Sequence, residues 1–212
     1  MRESGHAFAD PVADLAVREV YQRARCDPSD PPGAVQLAVA LFGERCIRRA
    51  PARELPGRSA LAWGSGEPVI HLRRDLTARQ VNHAVAHELG EWLLHLWCYR
   101  GPDAEELSGR IGAALCVPRE AFVAAYRRVG ERLPELSLAF TVSQSLMALR
   151  IAECTGHPTA LITPRRVRTR GRSWPWPSTE DAVRSLIGRA DSIGLTRHPI
   201  RDARNRIFLR AP

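Results

Sequence analysis

The stretch His83-Ala-Val-Ala-His87-Glu88-Leu-Gly-Glu91-Trp-Leu-Leu-His95 decides how the rest of the chain is read. Four potential metal ligands, His83, His87, Glu91 and His95, recur at every fourth position. On an α-helix each such step turns about 40° and climbs about 6 Å, so neighbours in the series can share one ion. The outer pair lies about 18 Å and 120° apart and cannot. Apolar residues Val81, Val85, Leu89, Trp92, Leu93 and Leu96 form the complementary stripe. Thr77 followed by Gln80 reads as a capping box, and Gly101-Pro102 stops the run. The spacing predicts a helix over 77–98.

Within that helix, His87-Glu88-Leu89-Gly90-Glu91 carries the chemistry. Zinc hydrolases place two ligands one turn apart and a glutamate directly after the first, where it takes a proton from water polarised by the ion. The common form is His-Glu-x-x-His. Here Glu91 stands at the second ligand position, and a carboxylate oxygen ligates zinc at a similar distance. The plain alternative is a solvated amphipathic face on which this pattern arises by chance. A third ligand must come from outside the helix. Asp103, Glu105 and Glu106 open the next helical run, 104–116, which ends at Pro118. Two helices joined by a tight turn pack side by side, so an early acid in the second can face the first.

Working outward, residues 8–26 read as an amphipathic helix and 34–42 as a short apolar one, separated by the turn cluster 27–33. Residues 59–63 and 68–72 flank Gly64-Ser65-Gly66 as a β-hairpin leading into the main helix. Further helices are expected over 122–129, 143–154 and 181–189, and short strands over 159–163, 167–169 and 207–209. Pro164 to Pro177 departs in composition, with Arg165, Arg166, Arg168, Arg170 and Arg172 followed by Trp174-Pro-Trp-Pro177. Arginines interleaved with aromatics suit single-stranded DNA; a solvated β-hairpin is the alternative.

The 212 residues suffice for one domain with a small appendage. A hydrophobic fraction of 44% and a charged fraction of 25% exclude a disordered or fibrous chain. No apolar run reaches the roughly 18 residues of a membrane span, and residues 1–10 lack an apolar signal core. A cytoplasmic protein is expected. Five scattered cysteines, none in a CxxC pair, read as reduced thiols. All 31 basic residues are arginine, a bias of the kind a GC-rich genome produces, and the net charge is +8. That field attracts polyanions or acidic partners.

Residues 86–95, Ala-His-Glu-Leu-Gly-Glu-Trp-Leu-Leu-His, resemble the active helix of the ImmA/IrrE metallopeptidases, A-H-E-L-G-H-x-L-L-H. Residues 105–118 match the frame of that family's next helix, E-x-x-A-N-x-F-A-A-x-L-L-M-P, and residues 138–150 resemble its F-x-V-S … R-L pair. The likeness covers residues 8–163. It implies an α+β, zincin-like fold in which a small antiparallel sheet packs on an active-site helix, with additional helices. The metallopeptidase domain would span 1–163, and an Arg/Trp-rich extension with short strands and a helix would span 164–212. The resemblance further implies His87, Glu91 and Glu105 as ligands of Zn2+ (Mn2+ or Fe2+ being alternatives), with Glu88 as general base. The implied activity is endopeptidase cleavage of a helix-turn-helix transcriptional repressor in stress or mobile-element regulation. Two departures stand out: Glu91 replaces the second histidine, and Gly109 stands where the family has asparagine. The first leaves open a catalytically inactive, repressor-binding or DNA-responsive module, and leaves His83 or His95 as substitute ligands. A nucleic-acid-binding protein with an accidental HExxE is the remaining rival.

Overall fold

The central helix forms where its caps and stripe dictate. In the computed structural model, which describes residues 10–63, 67–157, 159–162, 167–170, 196–199 and 207–210, helix α3 runs Ala78–Leu96. Thr77 accepts from the Gln80 amide while the Gln80 side chain accepts from the Thr77 amide. Such a cap contributes about 1 kcal/mol. Before it come α1 (Pro11–Ala24), α2 (Ala34–Phe42), β1 (Ile47–Ala50), β2 (Ser59–Trp63) and β3 (Pro68–Arg73). After it come α4 (Ala104–Cys116), α5 (Arg119–Val129), α6 (Leu133–Ala139), α7 (Gln144–Thr155), β4 (Thr159–Ile162), β5 (Val167–Arg170), β6 (Thr196–Pro199) and β7 (Ile207–Arg210).

The chain divides into two compact units. The first holds residues 11–130 and 138–142. Its sheet has the order β1-β3-β2. The hairpin expected from the sequence is present, with β2 antiparallel to β3 and Ser59 opposite Leu72. The all-antiparallel sheet is corrected: β1 joins β3 in parallel, Ile47 opposite Ile70, so the sheet is mixed. Ile47-Arg-Arg-Ala50 hides in the sequence because an edge strand with two exposed arginines shows no apolar alternation. β3 alternates buried and half-buried positions, and its Ile70 and Leu72 are fully buried. α3 packs on β2 and β3. Burying each such aliphatic side chain contributes roughly 1.5–3 kcal/mol.

Among the described elements α3 and α4 share the most extensive contact, and small residues let their backbones meet. A Cβ on Gly90 would stand 2.7 Å from the Ser108 carbonyl oxygen, and one on Gly112 would stand 2.9 Å from the His87 nitrogen. α1 closes over this pair: the buried Tyr21 hydroxyl donates to the Leu115 carbonyl at 3.0 Å, and Trp97 Nε1 donates to Glu19 at 2.9 Å. Asn82 accepts from the Ala34 amide at 2.7 Å, tying α3 to the start of α2.

The second unit contains residues 131–137 and 143–212. Ser143 caps α7 through the Leu146 amide, and Gly156 ends the helix in the left-handed conformation at φ 74°. Arg150, 2% exposed, is compensated by Glu153 at 2.7 Å. A four-stranded antiparallel sheet has the order β5-β4-β7-β6. The strands expected at 167–169 and 207–209 are present, and the one expected at 159–163 is present over Thr159–Ile162. β6 and α6 are elements that the local pattern does not announce, and α5 begins three residues earlier than the apolar spacing predicts. The helix expected at 181–189 and the residues Arg165, Arg166, Arg172 and Trp174-Pro-Trp-Pro177 lie outside the described residues.

Candidate metal centre

The close approach of α3 and α4 sets the site. His87 and Glu91 lie one turn apart on α3, and Glu105 sits in the first turn of α4. The glycine contacts hold α4 near enough for Glu105 to reach across. His87 Nε2 is 3.4 Å from Glu91 Oε1 and 3.5 Å from Glu105 Oε1. One ligand atom from each residue lies within 4.8 Å of the others. A tetrahedral shell with bonds of about 2.0–2.1 Å has edges of about 3.3–3.4 Å. The two separations from His87 match such edges. One imidazole and two carboxylates suit a divalent ion, and the resulting site is formally neutral.

Glu88 is the buried member of the site. It is 2% exposed, and its Oε2 has no hydrogen-bond partner. Burial pushes its carboxyl up to about 7; the Ser59 hydroxyl opposes this, and the Glu91 charge adds to it. A carboxyl titrating near neutral pH is suited to accept and release a proton. The Glu91 carboxylate raises the His87 imidazole, against burial and with help from Glu105 and Glu88. Glu91 is correspondingly lowered by His87.

The two other histidines of the series face different surroundings. His83 and His95 are not members of the converging group. Burial lowers His83 to about 4, and the charges of His87 and Arg58 act in the same direction. His95 lies against Trp63, with ring centroids 4.7 Å apart, and its Nδ1 is 3.3 Å from Arg100 Nη2. Gly109 faces His87 without a side chain; a Cβ there would stand 4.0 Å from His87 Nδ1.

Ser59, Arg58 and Trp63 escape a sequence reading because β2 approaches α3 only in three dimensions. The glycines that allow the helix contact were legible only as small residues in register. A cleft of about 510 Å³, lined by Gly33, Gln36, Arg49, Ala78, Asn82 and Thr141 among others, contains none of the four site residues. The site is instead open, with the Glu105 side chain 80% exposed.

No model of a known protein family matches the chain, and no curated protein matches it. Among solved structures, a transcriptional regulator from Mycobacterium tuberculosis is similar, with a TM-score of 0.56 and 13% identity. The match covers 88% of this chain and 64% of that one, so this chain spans less than two thirds of its neighbour's length. At that identity the likeness concerns the fold alone. Among the described residues, no helix is long and apolar enough to cross a membrane.

Proposed function

We propose that the chain is a metal-dependent endopeptidase of the ImmA/IrrE type, with a helix-turn-helix repressor as substrate. The observation that carries this reading is the convergence of His87, Glu91 and Glu105 beside the buried, unpartnered Oε2 of Glu88. His87, Glu91 and Glu105 would hold a divalent ion. When bound, such an ion supplies Lewis acidity, polarising a peptide carbonyl and making water more acidic. Glu88 takes a proton from the attacking water as the water oxygen adds to the carbonyl carbon. It then gives that proton to the amine nitrogen as the C–N bond breaks. The outer edge of β2, which pairs with no further strand among the described residues and whose first residue Ser59 acts on Glu88, suits an extended peptide adding as a further strand.

Two carboxylates in the shell narrow zinc's advantage over Mn2+ or Fe2+ and leave water less acidified than neutral ligands do. Glu88→Gln tests the reading. The variant should keep its fold and ion while cleavage of a helix-turn-helix repressor, or of denatured casein, falls by about 10²–10⁴-fold. Unchanged cleavage would remove Glu88 from the mechanism.

A second reading, a regulatory module that binds a repressor or responds to DNA without hydrolysis, is supported by Glu91 in place of histidine and by the neighbour named a transcriptional regulator. Repressor binding by the metal-loaded parent, with no cleavage product in either parent or Glu88→Gln, would favour it.

A further inference from the structure

Charge in the first unit is unevenly placed. Residues 44–79 contain eight arginines and four acids. The sheet gathers five of those arginines at one end. β1 and β3 run in parallel and finish together, Ala50 opposite Arg73. The Arg74 amide donates to the Ala50 carbonyl at 3.0 Å, the Arg73 amide to the Arg58 carbonyl at 3.0 Å, and Arg49 Nη1 to the Arg73 carbonyl at 3.1 Å. Arg53 follows in the short 3-10 turn after β1. Arg49, Arg53, Arg58 and Arg74 are exposed.

Their compensation is poor. Arg73 is held by Asp75 at 2.5 Å. Arg53 reaches only its chain neighbour Glu54, at 3.8 Å, with the two side chains 86% and 57% exposed. An exposed pair of that kind is worth at most about 1 kcal/mol. Among the described residues no carboxylate forms an ion pair with Arg49, Arg58 or Arg74. The composition bias toward arginine explains why these cations are arginines; it does not explain why they collect at one sheet end.

We propose that this sheet end is a docking surface for the phosphate backbone of nucleic acid. A protein partner ordinarily needs an apolar centre to its interface. The exposed large apolar side chains among the described residues are Val12, Leu15, Trp63, Leu96, Tyr99 and Leu138, and none belongs to this cluster. A surface of mostly exposed, weakly compensated cations without apolar anchors reads a repeated anion through charge alone, independently of sequence. The paired ends of β1 and β3 and the chain segments beside them bring these cations to one end of the sheet. The surface does not depend on the metal reading: none of its residues is one of the three converging ligands or Glu88, and Arg58 meets that site only through its charge on His83.

The test uses the full chain and fluorescence anisotropy with a labelled DNA duplex of arbitrary sequence, from about 50 to 200 mM salt. Arg53→Ser with Arg74→Ser should weaken binding about tenfold or more and reduce the slope of log affinity against log salt by about 2. Arg127→Ser with Arg128→Ser on α5 removes the same charge elsewhere and should change the affinity less than threefold. Arg58→Ser alone is a milder second probe, expected to move affinity and slope in the same direction. Four results overturn the proposal. They are no binding by the parent at the lowest salt, equal weakening by both pairs, and complete loss on replacing only Arg165, Arg166, Arg168 and Arg170 by Ser. The fourth is competition by polyglutamate as strong as by DNA of equal charge, which would reassign the surface to acidic proteins.

Discussion

The α3–α4 face and the end of the β1–β3 pair both concentrate charge, and the fold uses the charge in opposite ways. On the helix pair the ionisable groups converge and are partly buried. Glu88 is pushed up to about 7 and His83 down to about 4, because burial penalises the charged form of each. At the sheet end the groups spread outward: Arg53 keeps a loose partner at 3.8 Å and Arg74 is exposed. Solvent screens such charges within about 10 Å at ordinary salt, so they steer partners rather than change protonation. Enclosure, more than the number of charges, separates a centre suited to proton transfer from a surface suited to attraction.

That contrast breaks most completely at Glu91. Removing one carboxylate from the converging group should abolish ion binding, whereas removing one arginine from the dispersed group only weakens a shared field. In Glu91→Ala, metal measured by plasma mass spectrometry should fall from near one ion per chain to near zero. Full occupancy would transfer the ligand role to His83, which His83→Ala would then reveal. Glu91→His should retain the ion and raise the preference for zinc over Mn2+, since a neutral imidazole replaces a hard carboxylate.

A smaller effect tests enclosure itself. Gly112→Val should cost about 1–3 kcal/mol in urea unfolding and lower metal affinity, because its side chain meets the backbone of Ala86 and His87. Gly109→Ala, three residues earlier, meets nothing closer than 4.0 Å and should gain about 0.5–1 kcal/mol from helix propensity. Equal effects at the two glycines would mean that the contact between α3 and α4 does not hold the site together.

The smallest effect is acid sensitivity. His83 titrates near 4 when folded, against 6.5 for the free side chain. The unfolded chain therefore binds a proton first, and His83's contribution to stability is complete above pH 6.5 and lost as the pH falls toward 4. His83→Gln should remove on the order of 1–2 kcal/mol of that loss, read by urea unfolding of chelated protein at pH 7 and pH 4.5. A loss identical to the parent's would show that His83 is not kept neutral by the fold.

The sequence by itself determined the elements whose signals are local. The Thr77–Gln80 box and the stripe from Val81 to Leu96 specify α3, because caps and helical periodicity act within a few residues. The hairpin of β2 and β3 was legible for the same reason, and so was the one-turn spacing of His87 and Glu91 on a common helix. Glu105 was legible as one of three acids at the start of α4, and only the resemblance singled it out, since nothing local says how far α4 stands from α3. Tertiary structure decided what depends on distant partners. The parallel pairing of Arg-rich β1, the meeting of buried Glu88 with Ser59, the turning of His95 toward Trp63 and the gathering of Arg49, Arg58 and Arg74 all join residues far apart in the chain. Burial and long-range contact are properties of the packed chain, and they set the proton chemistry of the site. Periodicity can name the residues of that site, but only packing fixes which of them meet and which are shut away from water.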